Sequence, residues 1–287
     1  MRAGLPFAIA TFLSTFAAET SGGAPAETLE ESVCGWLREP LAFALWSSAA
    51  GSPRAEITRE LGEARAEPIT HETRDGRLLR GYRLRAQPGR SVQAEPKGFV
   101  LVAQGNAMLA DQLLFDLAPL AARGDDVYIY DYRGYGRSQG KRRLKAIVAD
   151  YQDIVAALHA RTGTPARLYG ISFGGIVLMN AIGAGAAYVR AVIDSSPSRV
   201  SPFGCPERYD PLNNVPADAS RLLIVRGERD GVVKPGDSQE LAETAQVRGA
   251  KAVLSSQFAH PFMDSDPAVQ EARKTLIQTF LFDSAAR

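Results

Sequence analysis

Residues 167–178 read Arg167-Leu168-Tyr169-Gly170-Ile171-Ser172-Phe173-Gly174-Gly175-Ile176-Val177-Leu178. A short apolar strand passes through a hydroxyl, with glycine two residues to either side, into a helix of small and apolar residues. This is the strand–turn–helix context that gives a G-x-S-x-G pentapeptide its meaning. Side chains two residues before and after a serine at so sharp a turn would collide, so Gly170 and Gly174 leave the room. Ser172 is then held above a sheet edge at a helix N-terminus, where amides and the helix dipole favour developing negative charge. The alternative is a glycine-rich turn that happens to carry a serine. The rest of the chain has to supply a base and an acid before the turn means a nucleophile.

Outward from this stretch, strands and helices alternate. Phe99–Ala103, Val127–Asp131, Ala191–Ile193, Leu222–Val225 and Ala252–Leu254 are short apolar runs. Helical spacing marks Leu109 to Ala122, Leu144 to Arg161, Pro235 to Arg248 and Pro267 to Phe282. A hairpin is predicted for Pro68–Thr73 and Leu78–Leu84 around the turn-forming pair Asp75-Gly76. Continuous apolar strands separated by helices predict an α/β fold, a mostly parallel central sheet with helices on both faces. Chemistry in such sheets lies at the carboxyl ends of the strands.

The chain has three histidines. His71 falls inside the hairpin and His159 within an amphipathic helix, positions that suit packing or a surface. His260 follows the last strand, in a loop leading to the final helix, and Asp230 ends the strand before it, in Gly227-Glu228-Arg229-Asp230. Ser172, Asp230 and His260 therefore share one sheet edge, in the chain order associated with this turn. Asp194 also ends a strand and is the fallback acid.

The 287 residues are 45% hydrophobic and 23% charged, as expected of one large globular domain with a full core. The net charge is +1, and the longest basic run is the short Lys141-Arg142-Arg143, which suits a solvated surface, so neither a nucleic-acid partner nor an anionic membrane is expected. At the N-terminus, Met1-Arg2 is followed by a largely apolar or small-residue stretch to Ala17, with small residues at the positions a signal peptidase reads. Residues 1–18 are expected to be a signal peptide, with a disordered or surface-packed arm as the alternative. No membrane span is expected in the mature chain. Export to the periplasm or medium is the expected location, and the cytoplasm the alternative. Residues 19–66 read as a linker and an N-terminal helical segment. Within it, Leu29 to Trp46 is expected to dock on the main domain, 67–287, with both tryptophans in core packing. Cys34 and Cys205 fit either a disulfide or two buried thiols. No CxxC pair or Cys/His cluster occurs, so no metal site is expected.

Taken together, these pieces resemble the α/β-hydrolase superfamily, in particular the compact serine hydrolases of the serine-aminopeptidase-like branch. The likeness spans about Phe99 to Phe282. It rests on Gln104-Gly105-Asn106-Ala107, Asp131-Tyr132-Arg133-Gly134-Tyr135-Gly136-Arg137-Ser138, Gly170 to Gly174, Gly227 to Asp230, and Ala259-His260. One departure stands out: the family usually has His-Gly-Asn where this chain has Gln104-Gly105-Asn106. It touches the oxyanion loop and substrate preference rather than the reaction class.

The resemblance implies an α/β-hydrolase fold and acyl transfer to water. His260 would deprotonate Ser172 while Asp230 orients the imidazole. The backbone amides of Phe173 and Asn106 would bind the oxyanion, each such donor contributing about 10²–10³ in turnover. No metal or organic cofactor is called for. The segment Ser195 to Ser220, where larger lids sit in this superfamily, is short, which predicts a minimal lid and a small or open acyl pocket. Gln104, Ala107, Phe203 and Tyr209 are the candidate pocket residues, and a small-molecule acyl ester or thioester is the expected substrate. If the protein is exported, a Cys34–Cys205 disulfide could tie the N-terminal helix to the lid. A peptidase on the same fold and a non-catalytic binding protein are the alternatives.

Overall fold

The computed structural model describes residues 28–54, 60–61, 65–87 and 96–283. The expected leader lies outside these residues. Eight strands form one open sheet: β1 (Ala66–Glu72), β2 (Leu78–Leu84), β3 (Phe99–Ala103), β4 (Asp126–Tyr130), β5 (Ala166–Ile171), β6 (Tyr188–Asp194), β7 (Leu222–Gly227) and β8 (Lys251–Ser255). Their spatial order is β1-β2-β4-β3-β5-β6-β7-β8. The β1–β2 hairpin is antiparallel, β2 meets β4 antiparallel, and every later pairing is parallel. Asp75-Gly76 makes the expected turn, with Gly76 at a φ of 75°.

The helices are α1 (Arg38–Ala49), α2 (Leu114–Ala121), α3 (Leu144–Thr162), α4 (Phe173–Gly183), α5 (Gln239–Val247) and α6 (Pro267–Phe282). Alternate strand residues point to opposite faces, and each face has its own core. Leu101, Leu168, Ile193 and Ile224 pack with α1, α3, α4 and α5. Val102, Ile171, Val192 and Leu223 pack with α2 and α6. The central strands are buried on both faces, which is why their sequences show continuous apolar runs rather than alternation. Between β6 and β7 lie three short 3-10 turns, Ser201–Phe203, Glu207–Tyr209 and Pro211–Asn214, which form the minimal lid.

One part of the sequence reading is corrected here. Trp36 and Trp46 do not pack in the core: they are 79% and 40% exposed. Phe43 instead carries the docking of α1 and is buried. The disulfide Cys34–Cys205 joins the segment before α1 to the minimal lid.

Fully buried Arg133 explains part of the Asp131–Ser138 motif. Its guanidinium donates to Asp150 at 2.5 and 2.9 Å and to Asp75 at 2.6 and 2.8 Å, tying the hairpin turn to α3. A third carboxylate, Glu30, sits 3.4 Å away and brings in the N-terminal segment.

Candidate active site

The β5–α4 turn is strained as the pentapeptide requires. Ser172 lies at φ 53°, ψ −115°, a region that side chains rarely occupy. Its amide donates to the Asp194 carbonyl at 2.8 Å, and its hydroxyl is not used to cap α4. The glycines have the predicted steric cause. A Cβ on Gly170 would lie 2.8 Å from the Gly174 carbonyl, and one on Gly174 would overlap the Ala103 carbonyl. The second close approach lays the start of α4 against the loop after β3. A Cβ on Gly105 in that loop would come 3.9 Å from the Ser172 Cβ.

His260 and Asp230 meet at the same sheet edge. The imidazole Nδ1 lies 2.9 and 3.1 Å from the two Asp230 carboxylate oxygens, and both side chains are nearly buried. The amides of Val232 and Val233 each donate to Asp230 Oδ1 at 2.9 Å. Burial alone would push the Asp230 carboxyl up, but the His260 hydrogen bond, the imidazole's charge and these two amides outweigh it and hold it below its ordinary value. A carboxylate facing Nδ1 keeps the proton there and leaves Nε2 free to act as a base. The loops carrying the pair are bonded to each other through the Arg229 amide and the Phe258 carbonyl, at 3.0 Å. Asp194 is fully buried, and burial raises its carboxyl; its partners are Tyr169 at 3.3 Å and Ser195 at 3.4 Å, not His260.

Among the described residues, neither the Phe173 amide, first in α4, nor the Asn106 amide donates a hydrogen bond outside regular helices and strands. The amide at the first helical position has no intrahelical acceptor. The loop of Asn106 is held by tyrosines. Tyr135 donates to Asn106 Oδ1 at 2.7 Å, and Tyr132 donates to the Gln104 carbonyl at 2.6 Å.

A cavity of about 340 Å³ opens beside Ser172. Its walls come from Phe173 and Ile176 on α4, Phe203 and Val200 on the minimal lid, Val232 and Val233 after β7, and Phe43 and Trp46 on α1. Phe43 meets Phe173 edge-on, ring centroids 5.6 Å apart. Of the four pocket residues read from sequence, Phe203 lines the cavity. Gln104 does not: it is fully buried and donates to the Tyr130 carbonyl at 2.9 Å, so it braces the loop from behind. Tyr209 packs in the core and Ala107 is exposed outside the cavity. The α1 wall was missed because no local pattern says which surface a docked helix covers. The two remaining histidines stand apart: His71 is in β1, and His159 Nδ1 contacts the Thr164 carbonyl at 3.0 Å.

The family model for serine aminopeptidase, S33, matches residues 94–202. In solved structures, the Pyrococcus furiosus esterase Pf2001 overlays with a TM-score of 0.62 at 18% identity, covering 78% of this chain and 94% of that one. XC6422 from Xanthomonas campestris, an α/β serine hydrolase without lid, overlays with a TM-score of 0.58 at 18% identity, covering 76% and 94%. The chain has the α/β-hydrolase fold. The uncharacterized protein YfhR of Escherichia coli K12 is 28% identical to this chain over 199 residues, 63% of this chain and 69% of YfhR.

Proposed function

We propose that this chain is a serine hydrolase that cleaves ester or thioester bonds of small acyl substrates through an acyl-serine intermediate. The reading is supported by a strained serine beside an apolar cavity, with an aspartate-oriented imidazole carried on a loop at the same sheet edge. Ser172 Oγ attacks the acyl carbon as His260 Nε2 takes its proton, and Asp230 stabilises the imidazolium. The Phe173 and Asn106 amides receive the oxyanion. His260 then protonates the leaving group and activates water to release the acid. The cavity suits acyl groups of short to moderate length, with longer tails extending out of its mouth. The disulfide, together with the apolar N-terminal sequence, supports an oxidising compartment outside the cytoplasm. Fractionation of tagged cells tests that part.

The test of the chemistry is fluorophosphonate labelling of the wild type and Ser172→Ala, with p-nitrophenyl esters of increasing acyl length beside aminoacyl amides. Labelling lost in the variant, with ester turnover peaking at one chain length, is expected. Turnover confined to the amides would make the protein a peptidase. A folded wild type that takes no label would return it to a binding role.

A further inference from the structure

Helix α1 is apolar on both sides. Phe43 faces inward and is 3% exposed, while Trp36, Leu37, Leu41 and Leu45 face outward at 79%, 60%, 62% and 64% exposure. Leu37, Leu41 and Leu45 are four residues apart and form one stripe. Phe203, also well exposed, lies across the cavity mouth on the lid segment that Cys205 fastens to Cys34, and Arg38 donates to its carbonyl at 3.3 Å. Apolar surface therefore runs from the outer stripe, around Phe203 and Trp46, down to Phe173 beside the nucleophile. A helix that is apolar all round is buried on all sides in use. A contiguous exposed apolar patch marks a contact surface.

Charge selects the occupant. Between Val33 and Ala50 the only acid is Glu39. It is buried, with its carboxylate accepting from the Ser32 hydroxyl and from the Val33, Cys34 and Leu144 amides at 2.6–2.9 Å. The exposed charge on the helix is Arg38, and Lys141-Arg142-Arg143 flanks it, with Arg142 donating to Ser47 Oγ. The exposed charge on the helix is therefore cationic, a local excess that the net charge of +1 does not announce, while the exposed acids Glu31 and Glu207 lie before the helix and on the lid segment. An isologous contact between two copies would set these cations against themselves, whereas anionic headgroups complement them. Trp46 lines the cavity and Trp36 is exposed just before α1, and tryptophan favours the membrane–water interface. Among the described residues no helix is long and apolar enough to cross a membrane, so the contact is with a surface.

The geometry points to the outer face of α1, with Phe203, as a docking site for an anionic phospholipid surface, from which the acyl chain of a lipid-borne ester enters the cavity beside Ser172. The docking stands by itself; the fate of the ester rests on the acyl-hydrolase reading above.

The test uses full-length Ser172→Ala, so that no lipid is consumed, and flotation with phosphatidylglycerol–phosphatidylcholine vesicles beside pure phosphatidylcholine. The expected result is co-flotation favouring the anionic vesicles, with a blue shift of tryptophan emission. Adding Leu37→Ser, Leu41→Ser and Leu45→Ser should weaken vesicle affinity by at least about a hundredfold, a factor reached when only three to four of the removed carbons are buried in the lipid, at roughly 0.8 kcal/mol per methylene. These side chains are solvent-exposed, and circular dichroism checks that the variant is folded. No flotation, or flotation untouched by the three substitutions, overturns the proposal. So does a dimer that the same substitutions dissolve, which would make the face a contact between copies. Vesicle binding by a protein whose wild type takes no fluorophosphonate would uphold the docking and refute the hydrolase reading.

Discussion

Replacing Cys34 by serine removes the covalent link between the α1 segment and the lid. The cysteines are 171 residues apart. In the chain-entropy account, opening a loop of that length returns freedom to the unfolded chain that is equivalent to about 5 kcal/mol at 25 °C. That is a ceiling, because α1 keeps its own hold. Phe43 stays buried against Phe173 and contributes about 2–3 kcal/mol, and four donors still reach the Glu39 carboxylate. Thermal melting should fall by of order 10 °C, at roughly 2–4 °C per kcal/mol for a domain of this class. The ester series should lose its chain-length preference, because one wall of the cavity is loosened. Calorimetry on the wild type, the wild type with reductant, and Cys34→Ser gives the answer. Reductant should lower the first and leave the variant unmoved. Melting of wild type and variant within a degree or two of each other would refute the idea that the link holds α1 on the pocket.

Asp230→Asn should keep the fold but cut kcat on short esters by about 10⁴, since the imidazole loses the partner that fixes its tautomer; steady-state kinetics reads this directly. Gly174→Ala, whose methyl group would overlap the Ala103 carbonyl, should displace the oxyanion loop. Its fluorophosphonate labelling should be nearly lost, with a lowered urea midpoint. Stability should also depend on acid through Asp75. The Arg133 guanidinium and the Thr73 hydroxyl hold its carboxyl at about 2, against an ordinary 3.8, despite partial burial that acts the other way. This depressed group contributes about 2 kcal/mol above pH ~4, lost as pH falls through about 2. Urea unfolding of wild type and Asp75→Asn across that window should show a steeper loss of stability in the wild type, the variant keeping only the slope from other lowered carboxyls such as Asp230.

Most of the sheet was legible because buried parallel strands announce themselves as unbroken apolar runs, and the final helix was placed from Pro267 to Phe282 at both ends. The Ser172 turn was legible because its glycines are a local steric need. What sequence could not supply was direction. Gln104 was read as facing substrate; its amide instead points back to β4. The two tryptophans were read as core because large apolar side chains usually are, yet Trp36 is exposed just before α1 and Trp46 lines the cavity. Asp230 and Asp194 both end strands, and only the fold shows which carboxylate the imidazole reaches. The Cys34–Cys205 pairing stayed open for the same reason: nothing local encodes a meeting between residues so far apart in the chain.

The strand order puts unequal mechanical security under the residues of the site. Ser172 hangs from β5, an interior strand buried on both faces, whereas His260 follows β8, the outermost strand, whose residues are half-buried or exposed. Edge elements with few buried contacts open first, well below the free energy of global unfolding. Fraying of β8 would carry the imidazole away while the nucleophile stays in place. The protein should therefore pass through a state that is folded by circular dichroism and chemically silent, with activity fading in mild denaturant before any secondary structure does.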